Sequence, residues 1–242
     1  LVEIRLLISS CQRLAGARFS NRIAIDLNYD VVRVISEVKM SHSGGCEHKE
    51  KAIGLSKEYL IKTATAQLRR KTLAALSVRN LAASCSVPPS AFYYYFQSKQ
   101  DLVAECMAHY AEGFLGELRV SKCPIGAQGI RNFAHLLHSG LINNELCLGM
   151  ILSAQCYELA EEINSEIVIF NNDCMSYLER MWVYGLKDGS IASALCKSSA
   201  AQLIFTSLGG MLVSSRLYSD GAQRFSYASE VLFDSIGVTQ TH

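Results

Sequence analysis

Two of the three prolines in this chain of 242 residues stand side by side, Pro88 and Pro89. Proline suits the first turn of a helix and breaks a helix interior. A helix must therefore start at this pair. Pro124 apart, the rest of the chain is open to long uninterrupted helices. Just upstream, Ser77 is placed to cap a helix whose apolar residues are Val78, Leu81 and Ala82. Cys85-Ser86-Val87 separates it from the helix that opens at Pro88-Pro89 and ends near Phe96. Ser98-Lys99-Gln100-Asp101 then reads as a capping box that opens a long helix through about Leu118.

The same punctuation continues on both sides. Ser56 is a candidate N-cap, with Leu55 and Leu60 as a hydrophobic staple, for a helix whose face carries Leu60, Ile61, Ala64 and Leu68. A break is expected at Lys71 to Leu76. Further helices are expected at 127–142, 145–162, 164–187, 197–217 and 223–236. Asn143-Asn144, Lys187-Asp188-Gly189-Ser190 and Asp220-Gly221 supply turn chemistry between them. The fold class is all-α. Half the residues are hydrophobic and 19% are charged, which suits a globular protein and excludes a disordered one. Leu203 to Val213, the most apolar run, is short and interrupted by Thr206, Ser207, Gly209 and Gly210, so no membrane span is expected.

Nine cysteines, an odd number without a CxxC pair, read as reduced thiols of a cytoplasmic protein. Residues 1–39 lack the clean apolar core of a signal peptide. They read as upstream sequence or a poorly ordered extension, with the natural start expected near Met40. Residues 40–54 read as a flexible arm, and His42, Cys46 and His48 are too few to define a metal site.

Net charge is +1, but it is unevenly placed. Residues 50–100 carry eight Lys/Arg against Glu50 and Glu58, a net +6, whereas residues 101–242 sum to −7. A basic block on an acidic body suggests a polyanion-binding module joined to a regulatory or assembly domain. Two short helices across a three-residue turn, Val78–Ser84 and Pro88–Tyr95, describe a helix-turn-helix. Its second helix must enter a major groove about 12 Å wide while its inner face still packs. Val87, Phe92 and Phe96 supply packing; Ser90, Ala91, Tyr94 and Tyr95 are left for DNA.

Leu60–Lys99, with the run LSVRNLAASCSVPPSAFYYYFQSKQDL that ends at Leu102, resembles the DNA-binding domain of the TetR/AcrR family of bacterial transcriptional regulators. Leu60, Ile61, Ala64 and Leu68 match the family's first helix. Ser77-Val78-Arg79 and Leu81-Ala82 match its second. Val87, Phe92-Tyr93, Phe96 and Ser98-Lys99 match its signature. The chain departs at Thr72 and Ser86, where the family has glycine, and at Leu76, where it has threonine. The resemblance implies an extension over 1–54, a helix-turn-helix domain over 55–101 with its motif at about 78–96, and a helical regulatory and dimerisation domain over 102–242. It implies a homodimeric repressor, released from a palindromic double-stranded DNA operator by a small-molecule effector. No cofactor, metal or catalytic residue is expected.

The implied DNA contacts are Ser77, Arg79, Pro89, Ser90, Ala91, Tyr93, Tyr94, Tyr95 and Lys99. Tyr93 is expected to pack on the domain with its hydroxyl at phosphate, and Lys99 to clamp phosphate at a helix start. Ala201, Ile204, Leu208, Met211 and Leu212, with Tyr227 and Val231, form a stripe suited to a dimer interface or to the chain's own core. Cys147, Met150, Cys156, Tyr157, Phe170 and Trp182 are candidates for an effector pocket. Two other readings stay open. Cys147 or Cys156 would make a thiol-based sensor of oxidants or electrophiles. A helical adaptor that binds no DNA would show salt-insensitive partner binding. A helical enzyme finds no support, since His109, His135 and His138 are spread along the chain.

Overall fold

The computed structural model describes residues 47–120 and 126–239. Nine α-helices run through them: α1 (Glu47–Arg70), α2 (Val78–Ser84), α3 (Pro89–Tyr95), α4 (Lys99–Val120), α5 (Ala127–Ile142), α6 (Leu148–Ser153), α7 (Glu161–Asp188), α8 (Lys197–Ser215) and α9 (Gly221–Ser235). Single 3-10 turns at Leu73–Ala75 and Cys156–Glu158 complete the order. The only extended pairing among the described residues is one antiparallel bridge between Ile191 and Val238. The chain divides into residues 1–50 and 51–242. The expectations for 1–39 and for His42 and Cys46 fall outside the described residues.

The helix expected to be capped by Ser56 begins instead at Glu47 and runs through Ser56. Its apolar face is as the spacing predicts: Leu60, Ile61, Ala64 and Leu68 are all buried. They join Leu81, Ala82, Phe92, Phe96 and Leu102 in the core. In the larger part, α7 packs against α4, α5, α6 and α8, while α9 lies on α5 and α8. The 28 residues of α7 bury one long stripe that includes Ile163, Ile167, Phe170, Cys174, Leu178 and Trp182. Gly189 ends that helix at φ 80, the left-handed cap that glycine adopts without steric penalty.

One expected helix is broken. Residues 145–162 form a loop, the six-residue α6, the 3-10 turn at Cys156–Glu158 and the start of α7. The reason is tertiary. Leu146 N–H donates to the carbonyl oxygen of Arg69 (3.0 Å), outside any helix of its own. Gln155 donates from its side chain to Ile151 O (3.0 Å), and its amide oxygen accepts from Leu73 N–H (2.9 Å). Gln100 donates to Glu158 O (3.0 Å) and accepts from Ala160 N–H (3.3 Å). Helical bonds are exchanged for bonds to the helix-turn-helix part, so segment 144–160 is the platform on which that part rests.

Candidate nucleic-acid interface

The turn between α2 and α3 is built from its hydrogen bonds. Val87 N–H donates to Ala82 O (3.0 Å) and Ser86 N–H to Ala83 O (3.1 Å). This is the reciprocal pair of a Schellman cap, whose pivot residue takes the left-handed conformation. Here the pivot is Ser86, at φ 55. Ser77 opens α2, its hydroxyl accepting from Asn80 N–H at 3.4 Å. Pro88 is extended, and Pro89 is the first residue of α3.

The seven residues of α3 sort by helical angle. Phe92 is buried, as is Phe96 just past the helix end, with centroids 5.4 Å apart. Tyr93 and Tyr94 are 65% and 72% exposed, so both rings face outward with Pro89 and Ser90. Ala91 is half-buried. Two expectations change. Tyr93 does not pack its ring into the domain, because one residue beyond Phe92 the helix has turned by about 100°. Tyr95 is half-buried against the core rather than open, because it sits three residues from Phe92 on the same side of the helix. Its ring meets Tyr94 edge-on at 5.0 Å.

Arg79 is exposed on α2. Lys99 is half-buried at the first position of α4. The capping box is present. Asp101 accepts from Gln97 N–H (3.0 Å) and Ser98 N–H (3.1 Å), and Ser98 Oγ accepts from Asp101 N–H (3.1 Å). The basic block is less available than its count implies. Lys57 pairs with Glu105 (2.9 Å), and Arg69 and Arg70 both pair with Glu145 (2.6 and 3.0 Å).

The residues expected to form an effector pocket are not gathered in one. Cys147 and Phe170 are buried beside Tyr110, whose ring lies 5.7 Å from that of Phe170. Trp182 is fully buried, donating to Leu195 O (3.3 Å), and lies twelve residues along α7 from Phe170, about 18 Å. Met150 and Cys156 are half-buried, and Tyr157 is fully exposed. A groove of about 330 Å³ is lined instead by residues including Ser176, Arg180, Tyr184, Lys187 and Lys197.

Burial also bears on the thiols. It pushes the Cys147 thiol up, against the pull of a hydrogen bond from Tyr110, which disfavours a reactive thiolate there. Sequence reasoning missed Cys196, the exposed N-cap of α8. The hydroxyls of Ser198 and Ser199, 3.4 and 3.1 Å away, lower its pKa to about 7. The Cys-x-Ser-Ser spacing at a helix start was the available signal.

The expected dimer stripe is corrected in part. Ala201, Ile204, Leu208 and Leu212 are completely buried within the single chain and cannot meet a second copy. Met211 is half-buried. Tyr227 and Val231 are exposed, and the outward apolar side chains of α8 are Leu203 and Val213. Among the described residues no helix is long and apolar enough to cross a membrane.

Residues 60–106 match the family described as "Bacterial regulatory proteins, tetR family". No curated protein matches the chain in sequence. Solved structures match in fold. A TetR family transcriptional regulator from Agrobacterium tumefaciens is 14% identical at TM-score 0.72, covering 76% of this chain and 99% of its own. A TetR transcriptional regulator from Chloroflexus aurantiacus is 15% identical at TM-score 0.68, covering 78% and 98%. The reduced form of E. coli NemR is 21% identical at TM-score 0.64, covering 77% and 100%. The helix-turn-helix region, residues 60–106, thus matches the tetR family of bacterial regulatory proteins, and the helices that follow share the fold of solved TetR-family structures.

Proposed function

We propose that the protein is a homodimeric, sequence-specific DNA-binding regulator that represses transcription from a palindromic operator and releases it on binding a small-molecule effector. The observation that carries the DNA-binding reading is the outer face of α3. Two tyrosines with large exposed rings, with Pro89 and Ser90, crown a seven-residue helix whose other face is locked by Phe92. A solvated surface helix has no use for two such rings. A major groove does, because each ring offers an apolar edge to thymine methyls and a hydroxyl to bases or phosphates. Arg79 of α2 would add a contact to a base edge or phosphate, and Lys99 of α4 one to phosphate.

The dimer would form through α8 and α9, on Leu203 and Val213 together with Tyr227 and Val231. Two recognition helices must then meet successive major grooves about 34–36 Å apart. An effector acts only through its differential affinity for arrangements that fit and do not fit that spacing.

Selection of bound sequences from a random DNA pool, at near-physiological salt, tests the reading. A recovered palindrome is the expected result. A folded dimer that enriches no sequence would overturn it and favour the adaptor reading.

A further inference from the structure

We propose that Glu145 is a positioning residue that fixes the angle of the helix-turn-helix part on the regulatory helices, and so sets the half-site spacing of the operator; this rests on the reading above. Glu145 lies in the loop between α5 and α6, and its side chain is 16% exposed. Both carboxylate oxygens are engaged. Oε2 accepts from Arg69 (2.6 Å) and Oε1 from Arg70 (3.0 Å), the last two residues of α1. A third guanidinium meets the same loop. Arg216, just past α8, donates to Asn144 Oδ1 (3.3 Å) and to the carbonyl oxygen of Arg70. The end of the recognition domain's first helix, the α5–α6 loop and the end of α8 thus converge at Asn144 and Glu145.

The charge count makes Glu145 decisive. Two guanidiniums share one negative charge, while the third, Arg216, holds the adjacent Asn144 and the Arg70 carbonyl. Neutralising it leaves Arg69 and Arg70 side by side without their shared counter-charge in a partly buried site. The end of α1 then stays tied to the loop through the Arg69–Leu146 hydrogen bonds, and its angle is less tightly fixed.

Movement at that end reaches the DNA-reading face. Lys57 of α1 lies over the Phe96 ring at the end of α3 (5.7 Å) and pairs with Glu105 of α4. Cys85, at the α2–α3 turn, and Cys106 of α4 each bond a carbonyl of α1, those of Tyr59 and Ile61. α1 therefore carries α2 and α3 with it. A twofold axis would double any displacement in the distance between recognition helices. Arg216 gives the clasp a second consequence: it ties that angle to α8, the helix assigned to the dimer contact.

The test uses the full chain and DNA pools in which the half-site recovered by wild type is repeated with spacers of graded length. Wild type should favour one spacing. Glu145→Gln keeps an acceptor but removes the charge. It should select the same half-site, with the preference for one spacing over its neighbours reduced about tenfold, the size expected when one charge-assisted pair is lost. Arg216→Gln, at the exposed rim, should broaden the spacing in the same sense and carries the test if Glu145→Gln does not fold. A folded variant with unchanged spacing preference overturns the proposal alone. No palindrome from wild type overturns the DNA-binding reading with it.

Discussion

Arg69 and Leu146 bind each other twice: Leu146 N–H donates to Arg69 O at 3.0 Å, and Arg69 Nε donates to Leu146 O at 2.8 Å. Residues 77 positions apart are thereby held as closely as neighbours in a strand pair. The approach depends on Gly140. A Cβ there would lie 2.7 Å from Glu145 O and 2.9 Å from Arg69 Nη2. Gly140→Ala should therefore destabilise the protein by about 1–3 kcal/mol, the range for forced overpacking. Denaturant unfolding gives the measurement, and an unchanged midpoint would contradict the contact.

Ser86 holds a left-handed conformation at φ 55, where a side chain costs roughly 1–2 kcal/mol and glycine does not. Part of that gain is offset by glycine's greater freedom when unfolded. Ser86→Gly should stabilise by about 1 kcal/mol, read as a higher melting temperature with operator affinity unchanged. Ser86→Val, branched at Cβ, should lower stability instead.

Lys99 and Tyr94 should separate two kinds of contact. Lys99→Ala should reduce the magnitude of the salt slope of operator affinity by about 1, one phosphate contact, and weaken all sequences alike. Tyr94→Ala should lower operator affinity more than non-specific affinity. Equal losses for Tyr94→Ala would show that it reads no base.

Val213 and Leu208 lie on opposite faces of α8, 53% exposed and fully buried. Val213→Glu should shift a dimer towards monomer while leaving the monomer folded, as sedimentation would show. Leu208→Ala should cost about 2–5 kcal/mol of folding stability through its cavity and leave the association constant alone. The reverse pattern would mean the buried stripe, not the outer face, joins the copies.

Among the thiols of the described residues, Cys196 should be the first labelled by a mild electrophile. Its thiolate is favoured by the Ser198 and Ser199 hydroxyls, so labelling should rise with pH through a midpoint near 7. Ser199→Ala should move the midpoint upward. Cys106, which burial raises to about 12, and Cys147 should stay unlabelled in the folded protein. Labelling of Cys147 ahead of Cys196 would contradict the burial.

The helix-turn-helix was legible because its signals are local. Ser77, Pro89 and the Ser98–Asp101 pair each act within four residues, and the apolar spacing of α1 and α3 did the rest. Segment 145–162 was misread because its breaks are decided by Arg69, Leu73 and Gln100, distant in sequence and invisible to periodicity. The stripe on α8 stayed ambiguous between core and dimer interface for another reason. α8 is apolar around most of its circumference, so spacing alone could not tell Leu208, which faces the core, from Val213, which faces out. Tyr95 also turns inward, because three residues from Phe92 it shares that side of α3, and two phenylalanines do not fill the inner face alone.

The brevity of α3 has a consequence for how such a chain diverges. Seven residues between a proline and a capping box carry the outward side chains, while the Schellman turn, the capping box and the arginine clasp lie outside them. The reading head is a cartridge. Its letters can be rewritten, by drift or by design, while the mount and the wiring behind it stay as they are.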